Sequence, residues 1–168
     1  MYGPDGRPLL SWRVLILPYI GQDTLYKEFR LDEPWDSEHN IRLLERMPSV
    51  YAPPWGKRSL VPPNHTVCQV FVGPGTAFEG PGGLPWKDFP DGQSNTFLIV
   101  EAGDPVPWTK PADIRYDPAQ PVVLRGLFRD MFRAGLCDGS SRHVPYTTSK
   151  AQLRAAITRN GGENERLD

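Results

Sequence analysis

The chain predicts an α+β fold, an antiparallel β-sheet of three to five strands packed against helices and joined by long Pro/Gly-rich loops. Three observations lead there. Short apolar runs of strand length lie near 66–72, 94–101 and 131–137, each bounded by turn-forming residues. Apolar residues recur at helical spacing in the N-terminal third and again near the C-terminus. The 19 prolines and 16 glycines among 168 residues far exceed the usual share of roughly 12%, and they fall between the apolar runs. Ordered loops and few long helices follow.

The length suits one domain, 1–168, large enough to bury a core. Hydrophobic residues make up 39% and charged residues 23%, a composition that folds. A net charge of −1, from 19 basic and 20 acidic residues, argues against a nucleic-acid partner or an anionic membrane surface. No run of 18 apolar residues exists, so no membrane span is expected. The opening Met1 to Gly6 has neither a basic start nor an apolar signal region. It reads as a turn inside a longer domain, with a segment expected upstream.

In chain order, Ser11 to Arg30 predicts two helical pieces, with Trp12, Ile16, Tyr19 and Ile20 on one face and Leu25, Tyr26 and Phe29 on another. Pro18 and Gly21 break the join. The run Val14 to Leu17 suits a buried strand equally well. Asp36-Ser37 can cap a helix ending near Met47 at Pro48, with Glu38 in its first turn and Ile41, Leu44 and Met47 buried. Ser49 to Asn64 is a loop with at most a short strand at Val50-Tyr51. Thr66 to Val72 is apolar on both faces, which predicts a central strand. Gly73 to Asp91 is loop, and Ser94 to Glu101 is a second strand. Asp104 to Gln120, with its prolines, is expected to lie over the sheet edge.

Leu127 to Tyr146 predicts a β-hairpin, its apolar run Met131 to Cys137 turning on Asp138-Gly139 as a two-residue type I′ loop. Cys137 then faces Ser140, Leu136 faces Ser141 and Ala134 faces His143. Phe132, Ala134 and Leu136 share one face. Ser149-x-x-Gln152 has capping-box spacing for a last helix that turns Leu153, Ala156 and Ile157 inward and stops at Gly161-Gly162.

Candidate chemistry centres on Asp91-Gly92-Gln93-Ser94-Asn95-Thr96. These residues form tight turns, Asp91 and Asn95 bonding local backbone and Gly92 supplying positive φ. The same stretch offers hard oxygen ligands from Asp91, Ser94 or Asn95, with Glu101 or Asp104 nearby, a set suited to Ca²⁺. Glu101 and Asp104 could also act as paired carboxylates in acid–base chemistry, or simply mark an exposed strand end. No P-loop, nucleophile elbow or HExxH motif occurs, and His39, His65 and His143 lie on unrelated segments. The chain is therefore expected not to be an enzyme. Cys68 and Cys137 admit a disulfide if their strands are neighbours, or two buried free thiols. Trp12 is expected in the core. Trp35, Trp55, Trp86 and Trp108 sit in Pro/Gly-rich loops, where each ring either caps the hydrophobic layer or stands exposed as a platform for polysaccharide.

Four stretches together resemble one family: Trp12 to Tyr26 (WRVLILPYIGQDTLY), Val70 to Ala77 (VFVGPGTA), Asp91 to Glu101 (DGQSNTFLIVE) and Leu136 to Ser140 (LCDGS). The chain is similar, from residue 2 to about 165, to the planctomycete-expanded bacterial family of prepilin-like proteins of unknown function named for an H-x9-D-G motif. The motif residues here are Asp91, Gly92, Ser94, Asn95 and Thr96, with Asp138 and Gly139. The resemblance implies a pseudopilin-like globular head whose leader and long hydrophobic helix precede this sequence. It implies a place in the cell envelope, periplasmic or extracellular, and protein partners in a filament or type II secretion apparatus, a second copy of the chain included. Calcium binding in a loop, common among major pseudopilins, is the one cofactor it brings to mind. If Met1 is the natural start, the anchor is lost, and a cytoplasmic protein with reduced thiols is expected instead. Two departures stand out. Phe128 occupies the position of the motif His, and Ser141 and His143 fall where an apolar face is expected.

Overall fold

The computed structural model describes residues 6–80 and 82–167, so the expected turn at Met1 to Asp5 lies outside the described residues. The chain forms two compact units, one comprising Met1–Thr66 with Pro105–Ala112, the other Val67–Asp104 with Asp113–Asp168.

In the first unit, α1 (Trp12–Leu15) begins where the Ser11 hydroxyl accepts the Arg13 N–H at 3.2 Å. A 3₁₀ turn over Leu17–Ile20 follows, with Pro18 in its first turn, where its missing N–H costs nothing. Gly21, at φ 72°, ends it, and α2 (Asp23–Glu28) begins two residues later. The predicted break between two helical pieces is therefore present, and Val14 to Leu17 is helical. Tyr19, expected on one face with Trp12, Ile16 and Ile20, is 87% exposed.

The expected helix to Met47 is a 3₁₀ helix, Asn40–Arg46. Its N-cap is His39, without a side-chain cap bond, and not Asp36 or Ser37 as expected, although the Ser37 hydroxyl accepts the Asn40 N–H at 3.0 Å. Winding at three residues per turn changes the buried face: Leu43 is 7% exposed and Ile41 38%. Val50-Tyr51 belongs to a 3₁₀ turn, Ser49–Tyr51, rather than a strand. The core of this unit gathers Leu10, Val14, Leu17, Leu25, Phe29, Leu43 and Tyr51 around Trp108, with Trp12 only half-buried at its margin. Phe29 meets the Trp108 ring edge-on and Tyr51 stacks on it, both at 5.8 Å between centroids.

The second unit contains most of a four-stranded sheet. Its strands are β1 (His65–Gln69), β3 (Phe97–Pro107), β5 (Met131–Leu136) and β6 (Ser141–Pro145), in the order β1-β3-β5-β6. The α+β expectation holds. The strand predicted over 66–72 is divided, and its first part lies at an edge, not the centre. Beyond Gln69 the chain turns away: Val70 N–H donates to Asp113 Oδ1 at 3.2 Å, and Val70 and Val72 carbonyls accept from Ile114 and Tyr116. The result is a separate parallel pair, β2 (Phe71–Val72) with β4 (Ile114–Arg115). Gly73 is required there, because a Cβ at φ 145° would sit 2.3 Å from the Tyr116 carbonyl oxygen. The segment expected over the sheet edge from Asp104 instead continues β3 to Pro107 and then supplies β4.

The hairpin forms with a different register. The observed pairs are Gly135↔Ser141, Ala134↔Arg142, Arg133↔His143 and Phe132↔Val144, one residue from expectation. The loop is three residues, Cys137-Asp138-Gly139, closed by Gly139 N–H to the Leu136 carbonyl at 3.0 Å and Leu136 N–H to the Ser140 carbonyl at 2.8 Å. A type I′ turn needs two residues at positive φ; here only Gly139, at 85°, adopts it. Asp138 keeps an ordinary φ, and its Oδ1 accepts both the Ser140 N–H (2.9 Å) and hydroxyl (2.6 Å). Those bonds hold its carboxyl below the usual carboxylate range. The slip turns Ser141 and His143 to solvent and places Val144 opposite Phe132, so the polar residue on the apolar face is the exposed Arg142, opposite Ala134, and not Ser141 or His143. Phe132, Ala134 and Leu136 do share the buried face, with Phe71, Phe97 and Val100 in the same core.

The last helix, α3 (Lys150–Ile157), carries the full capping box between Ser149 and Gln152. It buries Ala155, Ala156 and Ile157 and ends at Thr158, before the glycines expected to stop it. No helix among the described residues is long and apolar enough to cross a membrane.

Gly139→Ala forces an L side chain into the left-handed region, with no steric neighbour within 4 Å to complicate the reading. A loss of about 1–2 kcal/mol is expected in denaturant unfolding. An unchanged midpoint would refute the three-residue loop.

Candidate functional site

The Asp91–Thr96 motif forms a compact clamp. Gly92, at φ 92°, leads into a 3₁₀ turn over Gln93–Asn95, and Thr96 Oγ1 donates to the Gly92 carbonyl at 3.0 Å. The Asp91 carboxylate accepts the Gly162 N–H at 3.2 Å, and the Asp91 N–H donates to the Arg159 carbonyl. Asn95 is buried. Its Nδ2 donates to the Glu165 carbonyl at 3.3 Å, and its Oδ1 accepts the Leu167 N–H at 3.1 Å. One side-chain amide thus serves alternate residues of an extended segment, as a neighbouring strand would. The chemistry is that of a strap holding residues 159–167. Ser94, by contrast, is exposed.

The four expected calcium ligands do not converge. Asp91 and Asn95 hold the 159–167 segment, whereas Glu101 lies on β3 and accepts two bonds from Arg133, Nε at 2.6 Å and Nη2 at 2.8 Å. Asp104 is 4.0 Å from Arg125, and both side chains are exposed. The separation follows from strand geometry: at a rise of about 3.3 Å per residue, Asp104 lies some 23 Å along β3 from Phe97. No group of three or more His, Cys, Asp or Glu side chains among the described residues is arranged to hold a metal ion. Glu101 and Asp104 likewise do not form an acid–base pair.

Glu101 and Arg133 occupy the sheet face opposite the core, one step beyond the pair Val100↔Ala134. The Arg133 guanidinium lies 5.5 Å from the ring centre of Phe128, the residue at the motif-His position. His143 lies opposite Arg133 across the hairpin.

The tryptophans separate by environment. Trp108 is 0% exposed and donates its Nε1–H to the Leu44 carbonyl at 2.9 Å, so it is core and not a ligand platform. Trp35 packs against the same cluster, with Lys110 Nζ 5.5 Å from its ring centre. Trp55 (87%) and Trp86 (70%) stand exposed, and Arg58 lies over the Trp55 ring at 4.7 Å. Both cysteines are free thiols. Burial, with the Asp138 carboxylate adding to it, pushes the Cys137 thiol up to about 11.

Two polar residues escaped the sequence reading. Arg13 is fully buried, its Nη1 donating to the Ser11 hydroxyl at 2.7 Å and to the Lys110 carbonyl at 3.4 Å. Asn40, also fully buried, bonds Arg30 N–H and the carbonyls of Arg30, Glu33 and Pro34. Its position after Ser37 suggested a helix start and nothing more.

Residues 2–54 match the model of a family described as protein of unknown function (DUF1559). Over those residues the chain is similar to that family, in agreement with the resemblance read from Trp12 to Tyr26. The comparisons find no match among curated proteins and none among solved structures.

Asn95→Ala leaves the Glu165 carbonyl and Leu167 N–H without this partner. A stability loss of about 1–3 kcal/mol is expected, with faster amide exchange at Leu167 than in α3. Uniform exchange would show that the clamp does not hold this segment. A thiol raised from 9.0 to about 11 stays protonated at neutral pH. In a Cys68→Ser variant, alkylation of Cys137 at pH 8 is expected roughly a hundredfold below a free cysteine. The stability linked to this proton is full below about 9 and is lost as pH rises towards about 11. Alkylation at the rate of a model thiol would contradict the buried environment.

Proposed function

We propose that this chain is the non-catalytic globular head of a pseudopilin-like cell-envelope protein, acting in filament or secretion-apparatus assembly or in surface recognition. What supports the reading is the apolar surface left on the N-terminal helical segment. Trp12, Leu15, Ile16, Pro18 and Ile20 remain only partly covered, and Tyr19 is 87% exposed. Such a concentration of accessible apolar side chains is what an apolar helix or partner would cover. The match to the DUF1559 model falls on this same segment. A non-catalytic role also agrees with the use of Glu101, whose carboxylate is engaged by Arg133.

A second reading, a polysaccharide-binding module, draws on the exposed rings of Trp55 and Trp86. The two separate in one experiment. A photo-crosslinking residue at position 19, in the cells that make the protein, is expected to capture envelope proteins or a second copy. The same residue at the exposed Val123 should not. No crosslink at position 19 above that control overturns the head reading. Glycan binding lost in Trp55→Ala or Trp86→Ala would establish the other.

A further inference from the structure

We propose that the outer edge of β6 is a docking site for an extended segment of another polypeptide, added as a fifth strand with a carboxylate side chain opposite Arg142. The inference goes beyond the head reading and does not depend on it.

β6 ends the sheet, and no further strand pairs with it among the described residues. The orientation of its backbone follows from the bonds at its two ends. Ser140 O accepts from Leu136 N–H, and Tyr146 N–H donates to Asp130 O. Residues alternate between bonding the neighbour and pointing away, so Arg142 and Val144 bond β5, while Ser141 and His143 direct N–H and C=O outward. Neither outward N–H has a backbone partner among the described residues. The two outward N–H groups are those that strand addition uses, while the Ser141 carbonyl also accepts from Arg142 Nη1 at 3.4 Å. The edge is short, because Pro145 has no N–H and its carbonyl accepts from Thr148.

Beside this edge runs a cleft of about 240 Å³ lined by Arg142, His143, Val144, Thr147, Gln152 and Leu167, among others. Among the described residues, the lining includes Arg142 and His143 and no acidic residue. Arg142 makes one long hydrogen bond, to the Ser141 carbonyl at 3.4 Å. Asp138, at the turn, has its Oδ1 committed to Ser140. Charge therefore selects the occupant. An added strand pairs its backbone with Ser141 and His143, and the residue across from Arg142 falls in a non-hydrogen-bonded pair, where side chains approach most closely. A Glu there meets Arg142. An apolar side chain two positions away follows the same face towards Val144 and Leu167.

The probe is a fluorescein-labelled peptide, TVTETV, which presents Glu with Val two residues to either side. Saturable binding to the full chain is expected, about threefold weaker for TVTQTV, the size of one exposed charge pair. Arg142→Glu should remove or reverse that preference. Ser141→Pro, tolerated at an edge position, should weaken binding at least tenfold, as should N-methylation of alternate peptide residues. Amide shifts should concentrate at Ser141 and His143. Absence of saturable binding, indifference to N-methylation, or shifts elsewhere would overturn the proposal. Concentration-dependent shifts of the same amides without peptide would assign the edge to a second copy instead.

Discussion

The register of the β5–β6 hairpin is the constraint on which the exposed face and free edge of the sheet depend. It rests on one residue at positive φ, Gly139, and one carboxylate, Asp138, bonded twice to Ser140. Because side chains alternate with period two, a slip of one residue exchanges the faces of an entire strand. The observed register sends Val144 into the core against Phe132 and turns His143 and Ser141 to water. It also determines which β6 amides face outward, and so the form of the sheet's free edge.

Elsewhere the structure depends on polar side chains that stand in for missing backbone partners. A chain with 19 prolines lacks 19 N–H donors, and its helices are short: α1 spans four residues and α2 six. Helices of that length do not hold themselves together. Asn40 gathers four main-chain groups of the 30–34 loop, and Arg13 reaches the Ser11 hydroxyl and the Lys110 carbonyl. In the other unit, Asn95 plays the part of a strand for residues 165 and 167. Each is a buried or clamped polar group whose hydrogen bonds offset its desolvation.

The same economy bears on function. Residues that looked available for chemistry are engaged in structure: Asp91 in the strap, Glu101 with Arg133, Asp138 in the turn. What stays accessible is surface, namely the apolar N-terminal helical segment, the rings of Trp55 and Trp86, and the edge of β6. These are features suited to contact, and they motivate reading the protein by what it touches.

Local features were legible from the sequence. The Ser149–Gln152 capping box, the helix break at Pro18 and Gly21, and the shared face of Phe132, Ala134 and Leu136 depend on neighbours within a few residues. The special character of Asp91–Thr96 was legible too, although its partners were not, because they lie some 70 residues away at Gly162 to Leu167. Tertiary structure alone decided that Trp108 is a core residue, that β1 is an edge, and that Glu101 answers Arg133. Periodicity and capping are written in adjacent residues, whereas strand order, register and ion pairing join positions distant in the chain. For those, several arrangements satisfy the same pattern, and only packing selects one.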